Sequence, residues 1–208
     1  MKPFPSLFPA RAALIGIVGA VLGAFPAVAR ASESDRSGDG VYGRFDGDLG
    51  LSLGGGIEID VRDAVPRPMA VATARFYQAV GVYGAFSQSV DSSDRMERVA
   101  GVGLVLEPLF LIRWPDDKES NSSTVDLFID SLGLHVGAFF AEPRGGSFAG
   151  ASGCEVGLGA GAPLAGSAGG PWLRGRSLLR VGPVDDPTAV FHLWLEWQWF
   201  FHSGALGD

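Results

Sequence analysis

Between Phe45 and Val61 the chain alternates strictly between two kinds of residue, and that order constrains the fold more than any other feature. The odd positions read Phe45, Gly47, Leu49, Leu51, Leu53, Gly55, Ile57, Ile59 and Val61; the even positions read Asp46, Asp48, Gly50, Ser52, Gly54, Gly56, Glu58 and Asp60. Seven of the nine odd positions are large and apolar, and none of the eight even positions is. A helix repeats every 3.6 residues and cannot produce this pattern, whereas a strand with one apolar face does. The phase runs unbroken through Gly54-Gly55-Gly56, which favours one strand over a hairpin.

The same period recurs to the far end. Phe191, Leu193, Leu195, Trp197, Trp199 and Phe201 share a face, opposite His192, Trp194, Glu196, Gln198, Phe200 and His202. Between these two lie runs over Ala72–Phe86, Ala100–Glu107, Leu132–Phe140, Val156–Gly161 and Leu173–Val181. Seven runs are legible. They are separated by turn signals at Asp63–Pro68, Gln88–Asp94, Pro115–Ser123, Pro143–Gly150, Pro163–Pro171 and Gly182–Pro187. Upstream of Leu132 the phase is reversed, with Leu127 and Ile129 odd, so a β-bulge is expected around Asp130-Ser131. Links this short predict an all-β, antiparallel, up-and-down barrel.

Thirty-one of the 208 residues are glycine and only 19% are charged, against roughly 7% and 25% in an ordinary soluble domain. Fourteen Phe and five Trp exclude a disordered chain. A single Cys, Cys154, excludes an intrachain disulfide framework and a cysteine-based zinc cluster. The formal net charge is −7, and Lys118 is the one lysine after Lys2. No electrostatic footprint for nucleic acid exists in such a chain.

The first residues read as a secretory signal. Lys2 and Arg11 precede an uncharged stretch from Ala12 to Phe25, Pro26 follows, and Ala29-Arg30-Ala31 offers small residues for a peptidase. The expected division is a signal over 1–31 cleaved near Ala31, a short polar leader over 32–40, a barrel over 41–202 and a tail over 203–208. The apolar stretch is shorter than the roughly 20 residues of a spanning helix.

Alternation alone does not say which face points inward. A membrane barrel is apolar outside, and a soluble barrel is apolar inside. The polar face here is rich in glycine, which packs nothing against water but leaves room inside a narrow barrel for a neighbouring Arg or Tyr. The chain is also short of the surface charge that a soluble barrel needs. On the signal, the glycine-rich alternating strands and the aromatic last strand ending Trp197-Gln198-Trp199-Phe200-Phe201, the segment from Val41 to His202 resembles the small outer-membrane β-barrel proteins of Gram-negative bacteria. That resemblance implies a transmembrane barrel with an even strand number, hence about eight. It also implies residence in the bacterial outer membrane, with membrane lipid and the barrel-assembly machinery as partners. Such proteins usually end on an aromatic residue, whereas here Phe201 is followed by seven more.

With the polar face inward, the expected lumen network comprises Asp46, Asp48, Glu58, Asp60, Arg75, Glu107, Arg174, Arg176, Arg180 and Glu196, together with Arg44 and Glu155. Charges of both signs in a narrow tube must pair, since an unpaired buried charge costs several kcal/mol. The expected role is therefore structural or interactive, non-enzymatic and without cofactor or metal, with a largely filled lumen and with loops such as Trp114–Ser123 meeting a partner. A soluble periplasmic barrel holding an apolar ligand, a small pore and a lipid-modifying barrel enzyme are the alternatives. For the last, His135 near Ser131 is the constellation to inspect. Gly50-Leu51-Ser52-Leu53-Gly54 matches a nucleophile elbow but lies inside an alternating strand, where no strand-to-helix turn can form.

Overall fold

The computed structural model describes residues 42–202 apart from 93, 117, 121 and 183–186, with the backbone alone at 114. The expected signal at 1–31, the leader at 32–40 and the tail at 203–208 lie outside these residues. Eight strands follow one another: β1 Leu49–Asp60, β2 Pro66–Phe76, β3 Val80–Gln88, β4 Met96–Leu106, β5 Gly133–Pro143, β6 Ala151–Pro163, β7 Gly170–Val181 and β8 Thr188–Phe201. Each pairs antiparallel with its chain neighbour, and β1 pairs with β8 from Leu49↔Phe201 to Asp60↔Val190, closing an up-and-down barrel. β1 is continuous through its three glycines, as its phase requires.

Two readings of the sequence are corrected. The run Ala72–Phe86 belongs to two strands. β2 already starts at Pro66, within the stretch that carries the turn signals, and turns into β3 through Tyr77-Gln78-Ala79. Tyr77 and Gln78 hold φ of 48° and 55°, the left-handed region that Gly or Asn normally fills in a tight hairpin. Neither residue signals a turn. The odd loop length also pairs Phe76 with Val80, so even positions stay outward on both strands and the phase passes through the hairpin undisturbed.

The second correction concerns residues 123–130, which form a helix and no bulged strand. The connection from β4 to β5 contains α1, Leu109–Arg113, a short 3-10 turn over Trp114–Asp116, and α2, Ser123–Asp130. Val125, Leu127 and Ile129 alternate with Asp126, Phe128 and Asp130 like a strand. As a helix, however, the i, i+4 pair Asp126 and Asp130 falls on one face, where both carboxylates meet Arg113. The bulge lies elsewhere, between Met96 and Arg98 of β4.

Antiparallel order assigns each connection to an end. The chain enters and leaves at the terminal end, which also carries the connections 77–79, 107–132 and 164–169. The distal end carries 61–65, 89–95, 144–150 and 182–187. The one long connection thus shares its end with the entry to β1 and the exit from β8.

Every strand presents an apolar outer face. Leu53, Phe76, Val82, Leu104, Val136, Leu158, Leu179 and Leu195, one from each strand, are all exposed. Leu158 reaches 68% and Leu53 60%. Near the distal edge Arg98, about half exposed, pairs at 2.6 Å with the buried Glu142, and the part-exposed Glu97 at the β4 bulge pairs with Arg144 at 3.6 Å. Cys154 is exposed on this outer face.

Candidate functional site

The inner faces carry the polar groups. Arg67, Arg75, Arg174, Arg176, Arg180, Glu58, Glu107, Glu155, Glu196 and His192 are all buried. Glycine makes the space for them. A Cβ on Gly103 or Gly137, which face each other across β4 and β5, would lie 2.8 or 2.5 Å from the Tyr83 hydroxyl. One on Gly101 would meet the Glu155 carboxylate at 2.9 Å, and one on Gly161 the Arg174 side chain at 2.8 Å.

The charges sort into two clusters along the axis. Towards the distal end, Glu58 is the hub. Arg67 donates to it at 2.9 Å and Arg180 at 3.0 Å, and His192 Nε2 lies 2.9 Å away. Arg67 also forks onto Asp94, with two bonds of 2.6 Å. Arg180 reaches Glu155 at 2.9 Å, and the Tyr83 hydroxyl donates to the other Glu155 oxygen at 2.7 Å. Towards the terminal end, Arg174 pairs with Glu107 at 2.9 Å and with Glu196 at 2.6 Å, while Arg75 lies 3.4 and 3.8 Å from the same two carboxylates. Trp194 Nε1 donates to Glu196 at 2.8 Å. Bidentate and shared contacts of this kind are what allow charges to leave water.

Between the clusters sits Arg176. Among the described residues it has no carboxylate in an ion pair with it. Its guanidinium lies 4.3 Å from the Tyr83 ring centre and 5.6 Å from that of Trp194, and its Nε donates to His192 Nδ1 at 2.9 Å. Since Nδ1 accepts from an arginine, the His192 proton resides on Nε2, facing Glu58. The expected Arg176–carboxylate pair is thus replaced by an aromatic clamp, a contact that alternation cannot reveal because Tyr83 comes from another strand.

The remaining expected members are placed as follows. Asp60 is buried at the distal rim, where the Arg62 amide and the Thr188 hydroxyl donate to it, each at 2.9 Å. Asp46 and Asp48 precede β1, Asp46 exposed and Asp48 half-buried. The strand starts four residues later than its alternation suggests, so the exposed Asp46 is corrected out of the strand-borne network, while Asp48 stands just ahead of β1. Arg67, Asp94 and Gln198 were absent from the expected set. Arg67 was hidden between two prolines that read as a turn.

Arg44 belongs to a separate structure at the terminal mouth. There residues 42–48 pack against the α1–α2 connection and form a stopper. Arg44 pairs with Asp130 and lies 4.3 Å from the Phe110 ring centre. The Tyr42 hydroxyl donates to Asp126 at 3.1 Å. Arg113 bridges Asp126 and Asp130 at 2.7 Å each, and the Ser120 amide donates to Asp126 at 2.9 Å. Leu127, Ala168 and Trp172 form a small apolar core beneath. Burial pushes the Asp126 carboxyl up, but the bonds from Ser120, Arg113 and Tyr42 outweigh it and hold it below the ordinary carboxylate range. Burial and the same Asp126 contact push the Tyr42 hydroxyl up to about 12.

Small cavities flank the network towards either end. One of about 20 Å³ lies under the stopper against Gln78, Glu107, Phe110 and Arg174. Another, about 40 Å³, lies at the distal mouth against Asp60, Arg67, Phe139 and Arg180. Each has room for a few water molecules at most.

The histidine–serine constellation does not assemble. The Ser131 hydroxyl is engaged by the backbone of Gly161, whose amide donates to it at 2.7 Å, and no hydrogen bond joins it to His135 among the described residues. His135 instead meets the edge of Tyr83, at 5.4 Å between ring centres. Ser52, of the elbow-like match, is buried within β1. His202 lies just beyond β8 and is exposed. Among the described residues no three His, Cys, Asp or Glu side chains are grouped as metal ligands.

No protein-family model matches the chain, and no curated protein does. Among solved structures it is similar to that of Ail, the attachment invasion locus protein of Yersinia pestis, in complex with the heparin analogue sucrose octasulfate. The identity is 13%, over 73% of this chain and 97% of that one, with a TM-score of 0.36. A likeness that distant carries no argument about function.

Proposed function

We propose that this chain is an outer-membrane β-barrel with a structural or interaction role, whose lumen is filled by its own side chains. One observation carries the reading: around the whole closed sheet the apolar face is outside and the paired charges are inside. That is the reverse of a soluble barrel, and exposed apolar surface on all eight strands far exceeds what a soluble monomer tolerates. A closed barrel also leaves no backbone edge unpaired, which the interior of a bilayer demands. The last strand adds outward Trp197 and Trp199 near the terminal end, the place of an aromatic girdle.

Filling supports the non-enzymatic, non-conducting side of the proposal. Apart from Arg176, which sits between aromatic rings, the lumen arginines are ion-paired with the lumen glutamates, and the stopper covers one mouth. Outer-membrane lipid and the barrel-assembly machinery are the partners this reading calls for. The terminal-end connection expected at Trp114–Ser123 is the surface it offers for interaction.

Envelope fractionation tests it. The protein should stay with the outer membrane through carbonate extraction and should change gel mobility on heating in detergent, because a folded barrel resists detergent until heated. Release into the soluble fraction by carbonate would favour the soluble barrel instead.

A further inference from the structure

The two ends of the barrel differ in a way that the strands do not explain. Outside the strands, the terminal end exposes Phe45, Tyr77, Leu111, Ile112, Val125 and Leu132, each at 40% or more. The distal connections expose only Val90 and Phe148 among large apolar residues described there. The densest part of the terminal set is α1. Its Phe110 is buried in the stopper, in tilted contact with Phe45 at 5.4 Å between ring centres, while Leu111 at 45% and Ile112 at 58% are exposed. This patch continues the outer wall. The chain reaches α1 three residues after the outward Leu106, and it re-enters β5 through exposed Leu132 and Leu134.

The charges near α1 are arranged for an apolar outer surface. Arg113 turns its guanidinium inward onto Asp126 and Asp130, which leaves the outward side of α1 without a cation. Among the described residues that follow, Asp116 and Lys118 pair with each other at 2.6 Å and are both more than half exposed. An apolar face bordered by a solvated ion pair suits the boundary between acyl chains and headgroups.

Resting on the membrane reading above, we infer that the Leu109–Arg113 segment is a lipid-seated foot. Leu111 and Ile112 lie in the interfacial layer of the leaflet at the terminal end, so that the bilayer itself helps hold the stopper in the mouth. The foot explains why a long connection sits on the side where the chain enters β1 and leaves β8, where barrels of this class usually make short turns. The occupant is phospholipid, and a protein partner on this face is the alternative that the test excludes.

The test uses the full chain in phospholipid vesicles, in a Cys154→Ala background, with nitroxide labels at Ile112→Cys, Leu195→Cys and Val90→Cys. Heat-dependent gel mobility confirms that each labelled protein is folded, and Leu111→Cys replaces Ile112→Cys if that variant lacks the shift. Collisions with dissolved oxygen report acyl surroundings, and collisions with a water-soluble nickel chelate report solvent. Oxygen should dominate at 195, nickel should dominate at 90, and position 112 should fall between them with both relaxants effective. A label at 112 that matches 90, while 195 stays in the acyl region, overturns the foot and leaves the membrane reading standing. A label at 112 as deep as 195 overturns the interfacial placement too. If 195 itself reads as solvent, the membrane reading falls and the foot falls with it.

Discussion

Glu58 is the hub of the distal cluster, because Arg67, Arg180 and His192 all converge on it. Arg180 is shared between Glu58 and Glu155, so truncating it strips a cation from two buried carboxylates at once. Removing one partner of a buried pair costs about 3–5 kcal/mol. Arg176 is held differently, by the Tyr83 and Trp194 rings and by His192. A desolvated cation–π contact is worth about 2 kcal/mol. Arg180→Ala should therefore destabilise by about 3–5 kcal/mol and Arg176→Ala by clearly less, read from denaturant unfolding in detergent micelles. The reverse order would mean that a carboxylate holds Arg176 after all. At this scale the sequence was legible up to a limit. Period two shows which residues share the inner face, as it did for Arg75, Arg174, Arg180, Glu107 and Glu196. It says nothing about which strand supplies the partner, since pairing across the lumen depends on barrel stagger. The Arg176–Tyr83 clamp therefore stayed hidden.

At the scale of elements, two segments escaped a reading by period alone, each for a physical reason. The β2–β3 hairpin turns on Tyr77 and Gln78 in left-handed conformations, with no Gly, Asn or Pro to mark it. The α2 segment mimics a strand because a helix of eight residues is too short for its own period to separate from two. The glycines of β1, by contrast, were readable by position. Inward Gly56 sits against β8 so closely that a Cβ would lie 2.0 Å from the Leu193 carbonyl and 2.5 Å from Trp194 Cα. A Cβ on outward Gly55 meets nothing nearer than 3.6 Å. Gly56→Ala should cost about 1–3 kcal/mol by forcing apart the seam that closes the barrel. Gly55→Ala should stay within about 0.5 kcal/mol. Urea midpoints of the two variants check this, and equal midpoints would argue against the tight seam. The stopper is the element with a pH limit. Asp126 has a depressed carboxyl, so its contribution is complete above the unfolded value of about 3.9 and is lost as pH falls through the lower folded value. A nitroxide at Val125→Cys should keep one spectrum from pH 7 to pH 5 and become mobile only below about pH 4. Adding Asp126→Asn should make it mobile already at pH 7. A label indifferent to both changes would show that Asp126 does not hold the stopper.

For the whole molecule, closure, inversion and filling act together. The eight-stranded barrel gives every strand backbone a partner and an interior just wide enough for side chains to fill it. Its apolar exterior and paired interior suit lipid outside and exclude free water inside. The cavities of about 20 and 40 Å³ are separated by the Arg176 layer and the two ionic clusters. The stopper then covers the terminal mouth. On the filled-lumen proposal no continuous path crosses the barrel, and opening one would require breaking buried ion pairs at a cost of several kcal/mol each. Planar bilayer recording with purified protein that shows the heat-dependent mobility of a folded barrel puts this to the test. Insertion with little or no steady conductance is the predicted result, and stable, ion-selective openings from the wild-type chain would contradict it.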